Sequence, residues 1–238
     1  MQTGEFEGQR VCIVGGTAGI GLAIARSLAI EDCEVVIAGR DEARARRVAG
    51  GIGLNVEGRA VDVLNESSIA ALFDSLGLID HLIITAAQVH GGRFRDGPLM
   101  NARQSFEGKF WSQYLCARLA RVRRSILFFS GTLSRKPMVG TSVIAAVNGA
   151  IEALGRSLAV ELAPLRVNVI SPGLITGTNA YSAMPQQDVD RMIQSASLNL
   201  PSRMVGNPES VAGLATAILA SPYITGATFD VDGGGLIS

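Results

Sequence analysis

Neither sign of charge predominates in this chain: lysine plus arginine number 21, aspartate plus glutamate 21, and the formal net charge is zero. A neutral chain lacks the field that gathers nucleic acid or an anionic membrane, so neither is expected as a partner. Cysteine is scarce. Cys12, Cys33 and Cys116 are an odd, scattered set without metal-ligand spacing, which reads as reduced buried thiols with no metal site. No run approaches the ~20 apolar residues of a membrane helix. The acidic start Met1–Glu7 has no basic region followed by an apolar one, which argues against a signal peptide. Nothing resembling a linker, repeat or low-complexity segment divides the 238 residues. The expectation is one soluble, cytoplasmic domain over 1–238 with a substantial core.

What the chain does have is Gly15-Gly16-Thr17-Ala18-Gly19-Ile20-Gly21. Arg10–Val14 before it is short, apolar and β-branched, as in a buried parallel strand. Leu22, Ala23, Ile24, Ala25, Leu28 and Ala29 after it are spaced for an apolar helix face. Strand, glycine turn and helix in that order is the context in which such a motif holds a phosphate. Gly15 permits a tight turn, while Gly19 and Gly21 let a phosphate and then the helix approach the backbone. The helix N-terminus offers free N–H groups and partial positive charge to a pyrophosphate.

The remainder alternates strands and helices. Strands are expected at 34–38, 56–63, 80–85, 125–130, 166–171 and 227–231. Helices are expected at 42–49 (capped by Asp41), up to about 76, and at 101–121, 143–162 and 208–220; the segment 174–201 shows no firm periodicity. This alternation predicts an α/β fold, a doubly wound parallel sheet of about seven strands with helices on both faces. Ligands bind such sheets beyond the strand carboxyl ends.

With the glycine motif, Asp62-Val63, Arg166–Gly173 and Thr225–Gly234 in this order, the chain resembles the short-chain dehydrogenase/reductase family nearly end to end. The resemblance implies a single Rossmann-type domain in which Asp62, Val63 and Ala86 line the cofactor. It also implies that Ile175 and Thr176, after Pro172-Gly173, hold the nicotinamide end, and that 174–201 shapes the substrate pocket. Strand two ends Ala38-Gly39-Arg40, without the carboxylate that would favour a ribose hydroxyl. A guanidinium clamps a 2′-phosphate, so Arg40, with Thr17 beside it, points to NADP(H) over NAD(H). By analogy with the family, a homo-oligomer, dimer or tetramer, is expected.

The family's proton relay does not carry over. Alignment puts Ile144 where its tyrosine belongs, Asn148 at its lysine, Gly131 at its serine with Ser130 one position earlier, and Lys109 at its asparagine. Isoleucine donates no proton, and the tyrosines, Tyr114, Tyr181 and Tyr223, lie in other segments. Loss of general acid–base help, typically worth ~10²–10⁴-fold, leaves hydride transfer open to an activated acceptor such as an imine or enone. Lys109, one of only two lysines, is the candidate charge on the small-molecule substrate, and Ser130 a candidate hydroxyl. His90, in the loop after the fourth strand, faces the same side. Asn148 is expected to hydrogen-bond a ribose hydroxyl. Two readings remain: a reductase with a remodelled active site, or a cofactor-binding protein without redox turnover, acting as sensor, partner subunit or non-redox catalyst such as a cyclase.

Overall fold

Apolar β-branched runs alternate with amphipathic stretches, and in the computed structural model, which describes residues 5–182 and 184–238, each run becomes a strand. The first residues of the Met1–Glu7 stretch, and Ala183 within 174–201, lie outside the described residues. The strands are Arg10–Val14 (β1), Glu34–Gly39 (β2), Val56–Ala60 (β3), Leu78–Ile84 (β4), Arg121–Phe129 (β5), Arg166–Pro172 (β6) and Thr228–Val231 (β7). They form one sheet in the order β3-β2-β1-β4-β5-β6-β7, every pair parallel. The order reverses between β1 and β4, the switch point at which such sheets bind ligands.

The helices are Gly19–Ala29 (α1), Glu42–Gly50 (α2), Glu66–Leu76 (α3), Leu99–Ser105 (α4), Ser112–Leu119 (α5), Ser142–Glu161 (α6), Gln186–Asn199 (α7) and Pro208–Ala220 (α8). One core, with Ile13, Ile24, Leu28, Ile37, Val211 and Ile218, fills the space between the sheet and α1 and α8. A second, with Val14, Ile69, Phe73, Cys116, Phe128 and Ile151, lies under α3, α5 and α6. All three cysteines are free and buried.

Two expectations are corrected. The segment 174–201 contains α7, where no side chain is fully buried but Val189, Met192, Ile193 and Ala196 form a half-buried stripe at helical spacing. The helix expected over 101–121 is α4 and α5 joined by a π-helical turn, Phe106–Trp111, and β5 starts at Arg121. By length and composition α6 is apolar enough to cross a membrane. It packs instead on the sheet: a Cβ on Gly155 would meet Val169 Cγ2 at 2.5 Å.

Candidate active site

The strand carboxyl ends bring the expected cofactor residues to one edge. β1 leads directly into the glycine turn, where Gly15 has φ +93° and Gly19 φ +53°, backbone angles that only glycine adopts without strain. A Cβ on Gly15 would stand 2.5 Å from Ala86 N, which itself donates to Val14 O at 3.0 Å. A Cβ on Gly21 would overlap the Gly15 carbonyl. The missing side chains therefore set the turn against β4 and bring α1 close beneath it. At the start of α1, Ala18 supplies no side-chain cap and the first turn holds no acidic residue, so its N–H groups stay open to an anion. Ile20 is half-buried and packs against the core.

Neighbouring strands complete the edge. Beyond β2, Thr17 lies against Gly39, where a Cβ would meet Thr17 Cγ2 at 2.9 Å. Arg40 beside it is exposed and has no ion-pair partner among the described residues. Asp41 caps α2 by accepting from Arg44 N at 2.9 Å and is thereby occupied. Beyond β3, Asp62 is exposed and Val63 half-buried against the second core. Past β6, Gly173 N donates to Val231 O, Ile175 is buried in the core, and Thr176 N donates to Gly206 O. The Ile175 side chain thus anchors this loop and only its backbone can face a ligand.

A buried polar cluster lies between the π-turn, the end of β5 and α6. Lys109 is 7% exposed. Its Nζ donates to Ser130 O and to Asn148 Oδ1, both at 2.7 Å. Burial drives its ammonium down to about 8, against the opposing pull of Glu152. Ser130 Oγ does not face open space: it donates to Glu152 Oε1 at 3.1 Å, as does Ser134 Oγ at 2.7 Å. Arg135 approaches Glu152 at 3.8 Å and pairs with Asp230 and Ser171. A Cβ on Gly131 would come within 2.9 Å of Asn148 Nδ2, so glycine here leaves the amide its place. Ile144 stands near Gly91, across the backbone bond Gly92 N to Gly140 O at 2.8 Å.

Lys109, Ser130 and Asn148, singled out separately in the sequence, are thus brought into direct contact. His90 is held through its backbone N–H to Ser105 Oγ, and its Nε2 is enclosed without a partner among the described residues. Glu152 was missed. The available signal was Asn148 and Glu152 four apart in the mostly apolar first half of the helix, which puts both on one face. No group of three metal-ligating side chains is found among the described residues.

A family model described as enoyl-(acyl carrier protein) reductase matches residues 15–235. A short-chain dehydrogenase/reductase, ATR9, of Stachybotrys chlorohalonatus is 28% identical, with 98% of each chain covered. Carbonyl reductase family member 4 of Xenopus laevis is 31% identical over 94% of this chain and 97% of its own. Among solved structures, a small-chain dehydrogenase in complex with NADPH is 36% identical, with a TM-score of 0.85 over 97% of this chain and 99% of that one.

Proposed function

Because this chain belongs to the short-chain dehydrogenase/reductase family, we propose that it is an NADP(H)-dependent reductase of an activated small-molecule acceptor, working without the family's tyrosine–lysine relay. The glycine cradle and open N-terminus of α1 fit a pyrophosphate. Arg40 with Thr17 fits the 2′-phosphate, and the solved relative in complex with NADPH supports that choice of cofactor. Asp62, Val63 and Ala86 line the adenine side. Pro172, Gly173, Ile175 and Thr176 give the nicotinamide end its backbone and hydroxyl groups. The bound nicotinamide supplies hydride.

The observation that carries the reading is the buried Lys109 bridging Ser130 O and Asn148 Oδ1 beside the strand ends. It fixes a preorganised polar cluster next to the site, whose hydrogen-bond donors favour negative charge developing on the acceptor. Ile144 and Gly131 leave no protic side chain at their positions, so an enone or imine suits the pocket better than a ketone. The segment 174–201 covers the substrate side.

NADPH consumption with a panel of enones, imines and ketones tests the reading. Turnover of enones or imines, at least about tenfold faster than ketones, is expected. Tight NADPH binding without turnover of any acceptor would support the rival, a cofactor-binding protein with no redox chemistry. We further propose self-association through α5 and α6, supported by Trp111, 43% exposed and packed edge-on to Phe110 and Tyr114, and by Val160, 81% exposed on α6.

A further inference from the structure

Asn148 lies on α6 facing the carboxyl end of β5, and chemistry fixes which way its amide points. A lysine ammonium only donates, so the atom 2.7 Å from Lys109 Nζ is the amide oxygen. The amide nitrogen is turned the other way, towards Gly131, where a Cβ would stand 2.9 Å from it. No hydrogen bond among the described residues uses Asn148 Nδ2, and it is not among their enclosed unpartnered atoms. The side chain as a whole is only 2% exposed. A held amide in a nearly dry site therefore keeps its N–H free on the side that lacks a side chain.

We propose that Asn148 Nδ2–H is the hydrogen-bond donor to the substrate's oxygen, that Lys109 is the positioning residue holding that amide, and that the substrate is an α,β-unsaturated carbonyl compound. The proposal rests on the NADP(H) reading above. A neutral amide stabilises charge arriving on an oxygen but does not release a proton to it. An isolated ketone leaves an alkoxide that must be protonated in place. A conjugated acceptor does not: hydride adds at the β-carbon and the displaced electron pair comes to rest on oxygen as an enolate. Water then gives its proton to the α-carbon, leaving hydroxide in solvent. The charged groups around the unit are Glu152, from the same helix, and Arg135, which faces Glu152 and is tied to Asp230 of β7.

The test uses the full chain saturated with NADP⁺, which carries no hydride, and side-chain amide NMR of ¹⁵N-labelled protein, with Asn148→Asp assigning the signal. Adding 2-cyclohexen-1-one is expected to move an Asn148 Nδ2 proton downfield. In Lys109→Met that shift is lost while NADP⁺ still binds. A shift on adding NADP⁺ alone, with none on adding the enone, assigns Asn148 to the ribose and overturns the proposal. No shift with either also overturns it. The pH profile is the second readout, because a neutral amine still has N–H donors for Oδ1. Enone turnover by NADPH should then change less than about threefold between about pH 7 and 9. A loss of about tenfold per pH unit above about 8 makes Lys109 the proton donor and overturns the positioning role. Failure of NADP⁺ to bind, seen before any enone is added, defeats the underlying reading instead.

Discussion

His81, 1% exposed on β4, shows how one residue ties stability to pH. Both ring nitrogens are engaged, Nδ1 with Ser125 Oγ and Nε2 with Gln9 Oε1, each at 2.7 Å. Burial, reinforced by Arg166, pushes the imidazole from 6.5 to about 4. A depressed histidine is neutral in the fold and charged on unfolding below its ordinary value. Its contribution is therefore intact above about pH 6.5 and is lost on acidification towards about 4, amounting to roughly 3 kcal/mol. Urea unfolding at stepped pH checks this, and His81→Gln should flatten the slope in that window. Burial alone would raise neighbouring Asp80, but the Arg10 N–H and the Arg123 and Arg124 guanidinium groups outweigh it and hold the carboxyl below its usual range. Asp80 thus adds to acid destabilisation only at still lower pH. In the site, Gly131→Ala is expected to displace the Asn148 amide. Turnover should fall by at least about tenfold while NADPH affinity holds within about threefold, read from kcat and from a binding titration.

Between elements, the tightest requirement is at Gly58 of β3, where a Cβ would overlap the Ala45 and Arg46 backbone of α2. Gly58→Ala must push α2 off the sheet and is expected to cost about 1–3 kcal/mol, measured by chemical denaturation. Because α2 begins beside Arg40, NADPH affinity should weaken with it. The same logic explains what could be read from the chain. β1, its turn and α1 were legible because β-branched residues, glycines and a 3.6-residue apolar stripe succeed one another within a short stretch. The start of β5 was hidden: Arg121, Arg123 and Arg124 look like a solvated loop, yet all three are in the strand, where Asp80 accepts from the guanidinium groups of Arg123 and Arg124. α7 carries a weaker signal, Val189, Met192, Ile193 and Ala196 at helical spacing among polar residues, and that stripe is only half-buried. The burial of Lys109 depends on a π-turn that carries it towards Ser130 and α6, contacts far apart in sequence that no local pattern encodes. Residue types at the cofactor edge could be read from glycine spacing; the partners of the polar cluster required the fold.

At the scale of the whole molecule, one parallel sheet gathers the ends of β1, β2, β3, β4, β5 and β6 on a single edge. The glycine cradle, Arg40, Ala86, Ser130 and Pro172 reach one site because they follow strands that all point the same way. Val160 lies well beyond Asn148 along α6, so contact there need not obstruct the site. Sedimentation at micromolar concentration should give a dimer or larger, with Trp111→Glu shifting it towards monomer; a monomeric wild-type chain would remove that proposal and leave the cofactor edge untouched. The measurement that bears most directly on the account is a fluorescence titration of the purified protein with NADPH and with NADH, beside Arg40→Ala. The account predicts micromolar NADPH binding, weaker NADH binding, and loss of about tenfold or more of the NADPH affinity in Arg40→Ala with NADH unchanged. Binding of neither nucleotide, or equal binding of both that Arg40→Ala does not alter, would contradict it.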